Sequence, residues 1–227
     1  ADEIVIVDAG SSDRTAEIAS AHSAHFFTAP WRGFGAQKNL ALSRCTGDWL
    51  LSLDADEEVS PQLATAIRAL LDSMQPHAAY FIPRRNLFLG RWMRRGGYYP
   101  DRKLRLIRRD SALFEERAVH ETMKFTGSTG KLAGDLIHHA YPTLHAYLEH
   151  MDRYSSLGAQ VYLKKHPRMG VFSFLNGTLL NPLATFIYNY ILRLGFLDGR
   201  EGLLLHVYHS CYVSWKYAKA WEISKQN

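Results

Sequence analysis

Hydrophobic and polar positions change their period several times along the chain. Ile4-Val5-Ile6-Val7 is an unbroken β-branched run of the kind found in a buried parallel strand. It ends in Asp8-Ala9-Gly10-Ser11-Ser12-Asp13, a run of turn and N-cap residues, which predicts a helix from Arg14 to about Ala21. A short strand is expected over His25–Thr28, then a loop with Pro30, Gly33 and Gly35, then a helix over Ala36–Arg44. Trp49–Leu53 reads as a second buried strand and runs directly into Asp54-Ala55-Asp56-Glu57-Glu58. Ser60-Pro61 caps a further helix reaching about Met74, with proline at its first position. This βαβαβα order implies a parallel sheet with crossover helices.

Beyond Tyr80–Pro83 the pattern changes. Lys103–Ile107 alternates in part, as a half-exposed strand does, and Leu144–Lys165 reads as one long helix rich in tyrosine and histidine. Val171–Leu192 has no charged residue over 22 positions, long enough to span a bilayer. Asn176, Gly177, Asn181, Pro182 and Asn189 interrupt it, so the expectation is helices lying on a membrane or packed in a core. Gly202–Trp215 is a second uncharged run. Tyr188, Tyr190, Tyr208, Tyr212, Trp215, Tyr217 and Trp221 are read as an interfacial belt above Lys216 and Lys219, or as an ordinary aromatic core.

Composition narrows the class. With 227 residues, 47% apolar and 22% charged, the chain holds one α/β domain with a possible small appendage, and disorder, collagen-like repeats and disulfide scaffolds are excluded. Cys45 and Cys211 lie far apart, which fits two thiols in a reducing compartment. No secretory signal is visible, and the abrupt opening on a buried strand predicts that a preceding strand is missing. Charge is segregated. Residues 1–60 carry ten acids and four bases, whereas residues 84–109 carry ten bases against Asp101 alone. The acidic part suits a divalent cation, and the basic part a polyanion such as a phosphorylated glycolipid or an anionic lipid surface. No nucleic-acid motif accompanies the basic stretch.

Asp54 and Asp56 stand where ligands bind in open α/β sheets, at the carboxyl end of a strand. Two carboxylates at that spacing hold a hard cation that neutralises a diphosphate, and Asp8 adds a third acid at the same sheet edge. Like charges repel, so this convergence points to chemistry rather than stability.

With these residues in place, a resemblance becomes specific. Val7-Asp8-Ala9-Gly10-Ser11-Ser12-Asp13-Arg14-Thr15, then Gly35–Ala41, then Gly47–Glu57 resemble the signatures of inverting family 2 glycosyltransferases with the GT-A fold. Pro100-Asp101, Leu104-Arg105-Leu106, Val119-His120-Glu121, Leu136-Ile137-His138 and Phe196-Leu197-Asp198-Gly199 follow in the order seen in bacterial lipopolysaccharide inner-core β-glucosyltransferases. Family members begin with another strand and helix before the point where this chain starts.

The resemblance implies a Rossmann-like GT-A domain over residues 1–140 (donor half 1–83, acceptor half 84–140) with a mostly parallel sheet, and a helical region over 141–227. It implies that Asp8 meets the uracil or ribose of a UDP-sugar, that Gln37 and Lys38 lie near the nucleotide, and that Asp54 touches the ribose or the metal. Asp56 would coordinate Mg²⁺ or Mn²⁺, and His138 would complete the shell, with His139 as its neighbouring rival. Inversion needs a base for the acceptor hydroxyl. Glu121 is the choice, with Glu115 and Glu116 as rivals. An inner-core acceptor carries phosphates and carboxylates, which suits Arg84, Arg85, Arg94, Arg95 and Arg102.

The expected activity is transfer of a hexose, glucose first among candidates, at the cytoplasmic face of a bacterial inner membrane, by a peripheral protein that is compatible with homo-oligomers. Three other readings stand beside it. One is a polyisoprenyl-phosphate glycosyltransferase, and another is a non-enzymatic membrane- or polyanion-binding module. The third, an aspartyl-phosphate phosphatase, leaves the Asp8–Ser12 motif unexplained.

Overall fold

The computed structural model describes residues 1–74, 76–114 and 123–225. In chain order the first elements are β1 (Val5–Asp8), α1 (Thr15–Ala21), β2 (His25–Thr28), α2 (Phe34–Arg44), β3 (Trp49–Leu51), β4 (Glu57–Val59) and α3 (Pro61–Leu71). There follow β5 (Ala79–Phe88), β6 (Arg91–Trp92), β7 (Asp101–Arg108), β8 (Ala112–Phe114), β9 (Met123–Phe125), β10 (Thr129–Lys131) and β11 (Leu136–Tyr141). Four helices close the chain: α4 (Leu144–Lys165), α5 (Val171–Leu175), α6 (Asn181–Phe186) and α7 (Gly199–Ser224).

The chain separates into two compact units that interleave along the sequence. One comprises residues 1–55, 60–82 and 102–134, the other 56–59, 83–101 and 135–227. This differs from a division at residue 140, because β5 and β7 each run through both units.

In the first unit, β1 and β2 pair in parallel, with Val5 opposite His25, and α1 connects them as the pattern of apolar and capping residues predicts. β3 runs antiparallel to β7, and β10 parallel to the start of β5. Leu50, Ala79 and Ile107 are buried together, with Leu42, Cys45 and Leu104 packed around them. Ser60 begins α3 as expected: its hydroxyl accepts from the Leu63 N–H at 3.2 Å, with Pro61 in the first turn. Gly134 has φ +86°, and a β-carbon there would lie 2.4 Å from the Leu63 nitrogen, so no other residue fits.

In the second unit, β11 pairs in parallel with the end of β5 and antiparallel with β4, while β6 folds back on β5 as a hairpin. The sheet is therefore mixed rather than mostly parallel. Glu57-Glu58-Val59, which charge alone reads as loop, forms β4 because its backbone pairs with β11. Phe88, Met93, Tyr147, Met151 and Leu205 form the core between these strands and the long helices α4 and α7.

Val171–Leu192 is one continuous helix in which π turns at 176–180 and 187–192 alternate with α5 and α6. Pro182 has no N–H to give the Thr178 carbonyl one turn earlier. The Ser214 hydroxyl of α7 donates to that carbonyl instead, at 2.9 Å. Gly177 lets the same helix approach α7 closely, since a β-carbon there would meet the Tyr217 side chain at 2.4 Å.

Candidate active site

Asp8 closes its own turn. Its carboxylate accepts from the N–H groups of Gly10 and Ser11, both at 2.7 Å, and from the Ser11 hydroxyl. The Ser11 hydroxyl and these amides hold its pKa below the ordinary value. The Asp-x-Gly-Ser spacing is thus a loop-shaping device that presents an ionised carboxylate at the end of β1. Gln37, on α2, donates to the Ala29 carbonyl of the preceding loop at 3.4 Å.

Asp54 is held between two cations of its own unit. One carboxylate oxygen lies 2.8 Å from Lys38 Nζ, and the other accepts from the Arg105 guanidinium. Burial pushes this carboxyl upward, but the Arg105 charge and the Lys38 hydrogen bond outweigh it and bring it to about 2. Arg105 itself is only 5% exposed. The trio carries one more positive charge than negative, which suits an anionic ligand.

Asp56 belongs to the second unit and is placed differently. Its side chain is 49% exposed, and Oδ2 lies 3.2 Å from His138 Nε2. The other ring nitrogen, Nδ1, is 2.6 Å from Asn86 Oδ1. Asn86 is oriented by its own donors, since Nδ2 reaches the Tyr98 carbonyl at 3.2 Å and Asp101 Oδ2 at 3.3 Å. The amide oxygen then faces His138, so Nδ1 donates to it and Nε2 is left facing the Asp56 carboxylate. This is the arrangement of a histidine tuned as a metal ligand by a partner behind it. His139, one residue on, faces Glu58 at 3.3 Å, so strand alternation separates the two histidines.

The donor chemistry fits Mg²⁺ or Mn²⁺. Carboxylate and imidazole together accept Mn²⁺, and Mg²⁺ is commonly held by one or two carboxylates plus substrate phosphates. Among the described residues no cluster of three or more His, Cys, Asp or Glu forms a closed shell, so substrate oxygens would complete the coordination.

Beside His138 lies a cavity of about 300 Å³ in the second unit, lined by Arg84, Asn86, Tyr98, Asp101, Tyr141 and Leu205 among others. Arg84 is committed on two sides, to Asp101 at 2.6 Å and to the fully buried Glu57 side chain at 3.1 Å. Arg85 bonds Asp135 at 2.7 Å and lies over the Trp92 ring; Arg94 lies over the same ring, each guanidinium 4.2 Å from the ring centre. Arg94, Arg95 and Arg102 are exposed. The loop bearing Arg94 and Arg95 is moored to the helical region: buried Asp198 accepts from the Arg95 N–H at 2.8 Å, and the Gly96 N–H donates to the Arg193 carbonyl at 3.0 Å. Glu115, Glu116 and Glu121 lie outside the described residues.

The sequence expectations name Asp8, Gln37, Lys38, Asp54, Asp56 and His138; Arg105 and Asp101 enter them only within Leu104-Arg105-Leu106 and Pro100-Asp101, with no role, and Asn86, which bonds His138, is not among them.

The signature described as Glycosyl transferase family 2 matches residues 1–153. The chain is 33% identical over 180 residues to the lipopolysaccharide core biosynthesis glycosyltransferase LpsC of Rhizobium meliloti (strain 1021), covering 73% of this chain but only 65% of that relative. It is 26% identical over 214 residues to the uncharacterized glycosyltransferase RP128 of Rickettsia prowazekii (strain Madrid E), covering 89% and 72%. The crystal structure of S. aureus TarS 1–349 aligns with a TM-score of 0.42 at 14% identity, over 99% of this chain and 82% of that one. The matched signature takes in β1, both strand-end carboxylates and His138, and the chain belongs to glycosyl transferase family 2, with the family's mixed α/β GT-A fold.

Proposed function

We propose that the protein transfers a hexose, glucose being the first candidate, from a UDP-sugar to a lipopolysaccharide inner-core or other lipid-linked acceptor, with inversion at the anomeric carbon. The observation that carries this reading is the Asp56–His138 pair, its ring held by Asn86 with Nε2 toward the carboxylate. The likeness to an enzyme named for lipopolysaccharide core biosynthesis supports the acceptor class.

Asp56 and His138 would hold Mg²⁺ or Mn²⁺, which when bound supplies Lewis-acid stabilisation of the leaving diphosphate. Asp54, fully ionised at neutral pH, accepts hydrogen bonds from ribose hydroxyls, with Lys38 and Arg105 contributing positive charge for the phosphates. Asp8 and Gln37 complete the nucleotide side. On the acceptor side, exposed Arg94, Arg95 and Arg102 meet anionic groups, while Arg84 and Arg85, already paired with carboxylates, shape the cavity wall.

In the reaction, the acceptor oxygen forms a bond to the anomeric carbon while the bond from that carbon to the diphosphate breaks. UDP leaves with the electron pair, and the hydroxyl proton passes to a carboxylate base, for which Glu121 is proposed. A lipid-linked acceptor places the protein at the cytoplasmic face of the inner membrane as a peripheral protein.

The test is calorimetric titration of UDP with Mn²⁺ and then with EDTA, on the wild type and on Asp56→Ala. Metal-dependent binding that disappears in the variant is the expected result. Binding that is indifferent to both EDTA and the substitution removes the metal-assisted reading.

A further inference from the structure

The helix spanning Val171–Leu192 is built inside out. Its exposed positions recur in pairs every four residues (171/172, 179/180, 183/184, 187/188 and 191/192, with 175 exposed alone), and apart from Tyr188 every one is apolar. Val171 and Phe172 are 77% and 80% exposed. The polar residues Ser173, Asn176, Thr178, Asn181, Thr185 and Asn189 all lie on the more buried face. A helix resting on a protein in water has the opposite arrangement. The alternating turns explain how the stripe stays straight. An α turn of 3.6 residues falls short of a four-residue repeat, and the wider π turns make up the difference.

We infer that this stripe, formed by Phe172, Leu175, Leu179, Leu183, Ile187 and Ile191, is a lipid-docking surface that lies in the plane of an anionic bilayer. The inference deepens the peripheral association proposed above and rests on that reading. Charge selects the partner. From residue 153 to 197 there are five bases (Arg153, Lys164, Lys165, Arg168 and Arg193) and no acid. Lys164, Lys165 and Arg168 precede the stripe, and Arg193 follows it, all exposed. Two copies meeting through this face would bring like charges together, whereas anionic headgroups complement them. Packing selects the orientation. The inner face is fixed to α7 through Ser214–Thr178 and Gly177–Tyr217. A transmembrane placement would carry into lipid α7 with Lys216, Lys219 and Glu222, at high cost. An in-plane helix buries only the stripe.

The experiment is flotation of the full chain with vesicles of phosphatidylglycerol and phosphatidylcholine, and with phosphatidylcholine alone. The wild type is expected to float with the anionic vesicles, and the doubly substituted Leu179→Glu/Leu183→Glu protein to lose about tenfold or more in partitioning. Val161→Glu, at an exposed apolar position of α4 outside the stripe, should float as the wild type does. An environment-sensitive fluorophore at Leu183→Cys, in a Cys45→Ser/Cys211→Ser background, should shift to the blue on anionic vesicles, and at Val161→Cys it should not; this readout does not depend on the charged variant folding. If the wild type floats but the double variant floats equally and the fluorophore at 183 does not shift, this surface is wrong and peripheral association stands. A wild type that ignores all vesicles removes both. Resistance to alkaline extraction would replace docking by spanning, and a dimer in light scattering that the double variant dissolves would replace lipid by a second copy.

Discussion

Asp54 and Asp56 are two residues apart in the chain, yet they live in different chemical states. Asp54 sits between Lys38 and Arg105, which hold it ionised far below any physiological pH. Asp56 is half exposed and faces an imidazole whose other ring nitrogen is held by Asn86. The first carboxylate is paired with two cations, and so it organises charge. The second is matched to a partner that shares a ligand. Sequence spacing alone makes them twins; the residues that reach them from β7, α2 and β11 make them different.

The sharpest way to break this contrast is Asp54→Asn. It removes the carboxylate charge that Lys38 and the buried Arg105 share and should lower unfolding stability by about 3 kcal/mol, measured by urea denaturation. Asp56→Ala should leave the denaturation midpoint where it is but reduce metal-dependent UDP affinity by about 100-fold, read by calorimetry. Equal stability losses in the two variants would erase the distinction. Acid titration offers a third measure. Because the Asp54 carboxyl is lowered from 3.8 to about 2, its stabilisation is complete above pH 3.8 and lost as pH falls through about 2. This contribution is about 2 kcal/mol. Asp54→Asn should flatten that part of the stability profile, whereas Asp56→Ala should not. The smallest effect belongs to Asn86→Ala, which releases the His138 ring and should weaken Mn²⁺ binding by about tenfold; Asn86→Asp, which sets an acceptor against Asp101 and the Tyr98 carbonyl, should not restore it.

Much of this architecture is legible in the chain. The β-branched run before Asp8, the Ser60-Pro61 cap and the unbroken length of Leu144–Lys165 each dictate their element locally, and the structure has them within a few residues. The two aspartates stand out in the chain because they follow an apolar strand, but their position does not say what each carboxylate faces. Arg105 does not stand out. In Lys103-Leu104-Arg105-Leu106-Ile107 its alternation reads as the wet face of a strand, whereas in the structure it is buried and paired with Asp54. Asn86 carries no local signal in a ten-residue strand, because its meaning comes from His138, 52 positions away. Residues 171–192 show a third kind of illegibility. Composition announces an apolar helix, but which side faces outward depends on π turns that shift the repeat from 3.6 toward four.

The mooring of Arg95 and Gly96 onto Asp198 and Arg193 has a consequence for reach. Arg193 is the first residue beyond the stripe. With that stripe at the lipid surface, the basic loop stands at a fixed height above it, set by two hydrogen bonds rather than by a flexible tether. On the proposed acceptor such a loop would work as a gauge, engaging anionic groups one particular distance along a glycan stem and passing over shorter or longer ones. Selectivity for the length of the acceptor would then be written into the same short segment that joins the lipid surface to the cavity.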